Sequence, residues 1–415
     1  MTASPAVPPS ASSAPALLVL VGCACAISLI TFGVRSIFGL FTDPVVETHG
    51  WTRETFAFAI ALQNLVWGLT QPFAGALVDR YGPVQVLVTG AACYAAGLAL
   101  MAVSASPLTL TLSAGVLVGL GMGGASFVTV LGALGKLVPA SQRGWALGMG
   151  TAAGSLGQFL FAPLGQAFIA GYGWQTAALL LAGGVAMVLG LAFGVRGTLQ
   201  AAGVEQEPEL TLRQTLGLAM RHSSYVYLLL GFSVCGFQLA FITVHLPPYL
   251  NDQGVDATIA GWAIGAIGLA NVLGAYAAGM LSTRLSQRGL LSFIYFARAV
   301  AIVLFMSFPI TNASVLLFAT TMGLLWLSTV PLTSGLVALM FGTRFMATLF
   351  GLIFLSHQVG SFFGVWLGGR LFELTASYQL VWWLTAALGA AAGLIHLPIR
   401  ERPAPRPATM LGTGG

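Results

Sequence analysis

Long apolar runs separated by short polar breaks recur along the whole chain. Twelve of them reach the length of about 20 residues that an α-helix needs to cross the core of a bilayer. They are residues 16–40, 54–77, 84–104, 108–131, 144–170 and 174–195, then 224–250, 258–281, 289–309, 313–341, 346–371 and 378–398. The one long polar stretch, 196–223, carries Glu205, Glu207, Glu209, Arg213 and Arg221 and reads as a cytoplasmic linker. It divides the chain into two six-helix bundles, 16–195 and 224–398. The ends, 1–15 and 399–415, are short, polar and proline-bearing, and are expected to be disordered.

Composition agrees with the pattern. The 415 residues are 57% hydrophobic and 7% charged, against about 45–50% apolar and about 25% charged in soluble domains. So few charged side chains cannot cover two or three water-soluble domains, and the apolar majority must face lipid. The balance of 16 basic to 11 acidic residues gives a net charge of +5. The basic residues stand singly between apolar runs and form no stripe, which excludes nucleic acid as a partner. Cys23, Cys25, Cys93 and Cys235 all lie inside apolar runs, without metal-ligand spacing or a disulfide framework. No metal and no cofactor is expected. No cluster of nucleophile and base marks an enzyme. The first 15 residues hold no Lys or Arg, so the first run is read as a retained helix and not a cleaved signal.

Cytoplasmic loops hold an excess of Lys and Arg. With both termini inside, Arg80, Lys136, Arg143, Arg196, Arg213, Arg221, Arg284, Arg288, Arg344, Arg400, Arg402 and Arg406 face the cytoplasm, while Arg53 and Arg370 lie near the outer side. Arg35 and Arg298 fall within spans. This distribution sets the expected topology, a multi-pass protein of the inner membrane with cytoplasmic termini, completed by one chain as a monomer.

An internal repeat supports the two bundles. Gly148, Gly157 and Gly165 in the fifth run recur as Gly351, Gly360 and Gly368 in the eleventh, at an offset of 203. Gly75 and Arg80 recur as Gly279 and Arg284, at 204. A parallel duplication of six helices is a transporter architecture, and the small residues let the helices pack closely.

The segment GALVDRYG, Gly75 to Gly82, resembles the loop signature of the major facilitator superfamily. The resemblance implies a twelve-helix, all-α membrane fold and a gating role at the cytoplasmic side for Asp79 and Arg80. The sequence departs from the signature at Pro83 and Val84, and Thr283 stands where the second copy would carry Asp. Within the superfamily the chain is similar to monocarboxylate carriers and bacterial oxalate/formate exchangers. The similar runs include FGVRSIFGLF (Phe32 to Phe41), GWTRETFAFAIA (Gly50 to Ala61), FQLAFITVHLPPYL (Phe237 to Leu250) and SHQVGSFFGVWLGGRLF (Ser356 to Phe372).

A charge inside a span costs about 2.5–3.5 kcal/mol on insertion scales and marks a substrate path or a paired site. Arg35 lies near the outer end of the first run, in the place where the resemblance puts the substrate-binding lysine of monocarboxylate carriers. Snorkelling to the outer interface is the alternative. Arg298 is nearer the middle of the ninth run, with substrate contact and structural bracing both open. The Asp and Arg that the carriers place on the eighth helix are Asn271 and Ala275 here. A second donor must then come from His245, His357 or Arg298. His245 is read as a pseudo-symmetry partner of Arg35, and His357 lies near the membrane middle. Either histidine could carry a proton near neutral pH, or pack as a core residue. Asn64, Gln158, Tyr249 and Asn271 are further binding candidates that could equally be helix–helix contacts.

All eleven acids map to loops, span ends or the tail. A cavity with arginines and no carboxylate attracts anions. The expected function is a secondary active transporter of a small organic anion, a monocarboxylate first, working by alternating access with proton symport or anion exchange. The alternatives are an efflux pump for amphipathic compounds and a transporter-shaped anion sensor.

Overall fold

The computed structural model describes residues 14–196, 212–342 and 346–404. Among these residues all regular structure is helical. Ten helical stretches are long and apolar enough to cross a bilayer. One of them, Gln142–Gly194, is a hairpin of two helices, and Arg53–Tyr81 adds a further helix of sufficient length. The twelve are α1 Ala14–Arg35, α2 Arg53–Tyr81, α3 Pro83–Ala102, α4 Pro107–Leu137, α5 140–172, α6 174–191, α7 Ser223–Asp252, α8 Ala257–Leu281, α9 Gln287–Ser307, α10 Asn312–Phe341, α11 Met346–Thr375 and α12 Gln379–His396. The turn between α5 and α6 is made at Gly173, where φ is 79°. That between α2 and α3 is made at Gly82, where φ is 83°. Glycine occupies such a backbone without a Cβ penalty.

The repeated glycines explain how each bundle is packed. A Cβ at Gly157 would overlap the Leu29 carbonyl of α1, and one at Gly360 would overlap the Ser233 carbonyl of α7. α5 crosses α1, and α11 crosses α7, with backbone against backbone at the same point of each repeat. Gly148 and Gly351, one turn series away, both face open space. Gly165 makes room for Ile37, whereas Gly368 makes room for His245.

The two bundles meet along α2 with α11 and α5 with α8. At one end Gly369 lies against Ala57 and the Arg53 carbonyl, and contact continues inward to Gly68 against Gln358 and Leu355. On the other flank Gly261 lies against Gln166, and contact continues to Gly268 against Gln158 and Ser155. Toward the opposite end Gly75, Gly148, Gly279 and Gly351 have open space around them. The molecule is thus closed at the end holding the α1–α2 connection and parted at the end holding the α2–α3 turn.

Two central helices are broken. α4 stops at Gly124 and restarts at Phe127, with extended backbone at Ser126. α10 stops at Leu325 and restarts at Thr329. The linker contains a helix, Leu212–Arg221, while residues 197–211 lie outside the described set. The tail departs from expectation over residues 399–404, which are docked on the second bundle. Ile399 is buried, the Ala404 N–H donates to the Met340 carbonyl at 2.9 Å, and Glu401 accepts from the Ser286 hydroxyl and the Arg288 N–H at the start of α9. A free carboxylate at a helix N-terminus satisfies donors that the helix itself leaves open. Burial, together with the neighbouring Arg400 and Arg402, pushes the His222 imidazole below its usual range. Residues 1–13 and 405–415 lie outside the described set.

Candidate functional site

Arg35 is the last residue of α1, where the free carbonyls of a helix C-terminus favour a cation. It does not reach a rim. The chain continues as a buried turn of helix, Phe38–Phe41, with Gly39 pressed against the Thr243 and Val244 carbonyls of α7. The guanidinium instead lies inside the first bundle. It sits 4.7 Å over the Trp67 ring and 5.8 Å from the Phe32 ring, with Nη2 donating to Asn64 Oδ1 at 3.4 Å. Its Nε is buried and has no partner. Among the described residues the acids Asp43, Glu47, Glu54, Asp252, Asp256, Glu373 and Glu401 lie at helix ends, in connections or in the tail.

Trp67 carries the site across to the second bundle. Its ring meets Phe354 of α11 edge-on at 5.2 Å, and Phe354 stacks on His357 at 6.0 Å. His357 Nδ1 faces Gln358 Oε1 at 3.3 Å, and the ring also contacts Phe232 at 5.1 Å. Gln358 is fully buried against Gly68, and its Nε2 has no hydrogen-bond partner. Trp67, Phe354 and Gln358 were not expected as site residues. An aromatic or a glutamine within an apolar run carries no signal of which face it takes.

The structure draws several expected residues away from this place. Arg298 is fully buried within the second bundle, and its guanidinium donates to the Leu325 and Trp326 carbonyls freed by the break in α10. It also reaches Cys235 Sγ at 3.3 Å and Gln238 Oε1 at 3.5 Å. In this arrangement it braces the break in α10. His245 is equally buried: its Nε2 lies 2.7 Å from the Val365 carbonyl and its Nδ1 3.3 Å from the Tyr378 hydroxyl. Both ring nitrogens are used, and its counterpart over the matching glycine is Ile37, not Arg35. Tyr249 packs among Phe305, Tyr378 and Trp382. Gln158 Nε2 donates to the Ile264 carbonyl at 3.1 Å, joining α5 to α8. Asn271 Nδ2 donates to Ser155 Oγ at 2.9 Å, while its Oδ1 accepts from the Leu327 N–H at the break in α10. Asn64 remains beside Arg35. Arg80 is exposed and stacks on Tyr81 at 5.2 Å, and the Asp79 side chain lies outside the described set.

At the closed end a set of charges links the bundles. Arg53 pairs with Asp43 of its own half at 2.9 Å and with both carboxylate oxygens of Asp252 at the end of α7. The Arg53 N–H donates to Glu373 of α11 at 2.9 Å, and the Arg53 guanidinium lies 4.4 Å over the Phe372 ring. Asn251 donates to Asp43 at 2.8 Å, and Arg370 pairs with Glu54 at 3.1 Å. An apolar cavity of about 910 Å³ opens where α1, α5, α8 and α10 approach, between Leu29, Leu156, Leu269 and Leu324.

Comparison with known proteins places these features. Residues 23–365 match the family described as Major Facilitator Superfamily. The chain is 27% identical over 360 residues to the uncharacterized MFS-type transporter YcxA of Bacillus subtilis (strain 168), covering 84% of this chain and 86% of that protein. It is 25% identical over 377 residues to monocarboxylate transporter 13 of Bos taurus, covering 89% and 87%. A bacterial homolog of the human lysosomal transporter Spinster, solved in an inward-facing and occupied conformation, superposes with a TM-score of 0.73 at 14% identity, covering 93% of this chain and 97% of that one. The chain therefore belongs to the Major Facilitator Superfamily, as a multi-pass membrane protein and secondary active transporter.

Proposed function

We propose that the chain carries a small organic anion, a monocarboxylate first, across the inner membrane by alternating access, with Arg35 as the group that holds the carboxylate. The observation that carries this reading is the isolation of Arg35. A half-buried guanidinium with a buried, unpartnered Nε and a weak 3.4 Å contact to Asn64 is under-satisfied, and an unpaired charge in a membrane interior is costly. A carboxylate would supply the missing acceptors in the bidentate geometry that arginine favours. On the other bundle, Gln358 beside Gly68 has an orphan donor of its own. The aromatic walls of Trp67, Phe32 and Phe354 suit the apolar body of a monocarboxylate. The similarity to a monocarboxylate transporter supports the same class.

With Lys and Arg toward the cytoplasm, the parted end is the cytoplasmic one and the chain stands inward-facing. His357 would carry the proton in a symport cycle. Exchange of one anion for another would need no such carrier. Asp79 and Arg80 would act at the cytoplasmic gate. The test is uptake by purified protein in liposomes of labelled lactate, pyruvate, formate and oxalate, with and without an inward proton gradient. Saturable uptake of one of them supports the reading, and gradient stimulation separates symport from exchange. No uptake or counterflow of any would overturn it.

The apolar cavity beside Leu29 and Leu269 favours a second reading, efflux of amphipathic compounds. Energy-dependent extrusion of an apolar cationic dye, unaffected by those carboxylates, would select it.

A further inference from the structure

The Arg35 site is physically tied to the break in α4. The Trp67 indole N–H donates to Gln71 Oε1 at 2.9 Å, one turn further along α2. The same Oε1 accepts from the Ser126 hydroxyl at 3.1 Å, and Gln71 Nε2 donates to Thr129 Oγ1 at 3.2 Å. Ser126 and Thr129 are the residues that restart the helix. The Ser126 side chain accepts from the Thr129 N–H, and the Thr129 hydroxyl reaches back over the break to the Gly123 carbonyl at 3.1 Å. Gln71 therefore holds both ends of the first turn of the second α4 segment. A parallel contact runs through Phe32, which flanks Arg35 and meets Phe127 edge-on at 5.4 Å.

The free space beside Arg35 is bounded by these same residues. It is lined by Arg35, Trp67, Ala125, Ser126 and Phe127 among others, and its volume is about 10 Å³. That is room for about one water molecule. A carboxylate fits into this space beside the guanidinium only if side chains that line it give way, those of Trp67 and of the α4 break among them. The second bundle has no equivalent: at the repeat offset of 204, Gln71 corresponds to Ala275 and Trp67 to Asn271. There the break in α10 is held by Arg298 and Asn271, and the latter faces Ser155 of the other bundle and not an arginine.

We propose that Gln71 is a positioning residue that transmits occupancy of the Arg35 site, through Trp67, to the break in α4. The proposal rests on the reading of Arg35 as the anion-binding group. An anion that draws the guanidinium off the Trp67 face frees the indole to turn. Loss of its N–H from Gln71 then releases Ser126 and Thr129, and with them the segment that leads to the parted end.

The test is hydrogen exchange of residues 126–131 in lipid nanodiscs, with and without millimolar lactate, pyruvate, formate or oxalate, alongside calorimetric binding of each. Two variants leave the binding residues intact: Gln71→Leu, which deletes the relay, and Thr129→Val, which keeps shape and deletes the hydroxyl that accepts from Gln71 and donates to the Gly123 carbonyl. In the ligand-free protein Gln71→Leu should speed exchange there about 5-fold, as for loss of one net hydrogen bond. In the wild type a bound anion should change exchange at these residues by about 3-fold or more. Both variants should bind that anion with Kd within about 3-fold of wild type and lose at least half of the response. These changes are converted from about one hydrogen bond's worth of free energy. A full response in both variants, or unchanged ligand-free exchange in Gln71→Leu, overturns the relay. If the wild type binds none of the four anions, the Arg35 reading fails and takes the relay with it. That case is recognised by the absence of wild-type binding itself.

Discussion

Replacing Arg53 by Gln should open the closed end. Arg53 spans the bundles through two charge-assisted hydrogen bonds to Asp252, one of them 2.8 Å long, while Asp43 lies on its other side. The Arg53 side chain is 12% exposed, and those of Asp43 and Asp252 are 12% and 32% exposed. The pair is therefore worth more than an exposed ion pair at about 0.2–1 kcal/mol, and less than two fully buried charged hydrogen bonds at about 1.5–3 kcal/mol each. A value of about 2 kcal/mol for the cross-bundle part is reasonable. Substitution also leaves Asp43 and Asp252 facing each other without the cation between them. Because about 1.4 kcal/mol is a tenfold change in an equilibrium constant, the ratio of open to closed should rise about 30-fold. An open population of about 1% would become about 25%. Spin labels at Glu47→Cys and Gln253→Cys, both exposed positions flanking the latch, report the separation by pulsed electron resonance once the native cysteines are replaced. The variant should show a second, longer distance, and raised salt should enlarge the same population in the wild type. An unchanged distance distribution in Arg53→Gln at low salt would refute the view that this charge holds the bundles together.

Three further outcomes follow from the packing. Gly157→Ala and Gly360→Ala, where a Cβ meets backbone, should each cost about 1–3 kcal/mol. Gly148→Ala and Gly351→Ala, which face open space, should stay within about 0.5 kcal/mol of wild type in the same thermal unfolding series. Arg298→Met leaves the Leu325 and Trp326 carbonyls without their donor. It should lower stability by about 2–6 kcal/mol, at about 1–3 per lost partner, while a folded fraction binds anion with unchanged Kd. His357→Gln should abolish stimulation of uptake by a proton gradient while leaving counterflow exchange intact, measured in the same liposomes.

Much of the architecture was legible because its signals are local. Twelve runs of membrane length were enough to place the helices, and the 203-residue spacing of glycines marked where α5 and α11 cross their partners. The spacing could be read because close backbone approach admits no other residue at Gly157 and Gly360. Arg35 stood out by cost alone, since a charge in an apolar run needs a reason. Its surroundings did not. Trp67, Phe354 and Gln358 converge from two helices on different bundles, and nothing in a single sequence fixes the rotation of an apolar helix that is hydrophobic on all sides. The same lack of a periodic signal made His245 and Arg298 look available, although each sits among acceptors or donors supplied by a neighbouring helix. The latch was hidden for another reason. Asp43, Arg53, Asp252 and Glu373 read as ordinary charges at span ends, and only the approach of the α1–α2 connection, α2, α7 and α11 brings them together. The break in α4 contains no proline, and its local hint is Ser126 followed three residues on by Thr129, a pairing that resembles a helix start. The break in α10 is followed by Pro331, which has no N–H for the Leu327 carbonyl four residues back.

The central claim is that Arg35, half-buried and with an unpartnered Nε, binds the carboxylate of the transported anion. Its most direct measurement is saturable uptake into liposomes by wild type, Arg35→Lys and Arg35→Ala, using the carboxylate that the wild type transports best. Arg35→Ala should lose transport at least 100-fold while unfolding at the wild-type temperature, since removing a charge-assisted bidentate contact costs about 3 kcal/mol or more. Arg35→Lys should retain part of the activity with a raised KM. A folded Arg35→Ala protein that transports the anion with wild-type KM and rate would contradict the claim.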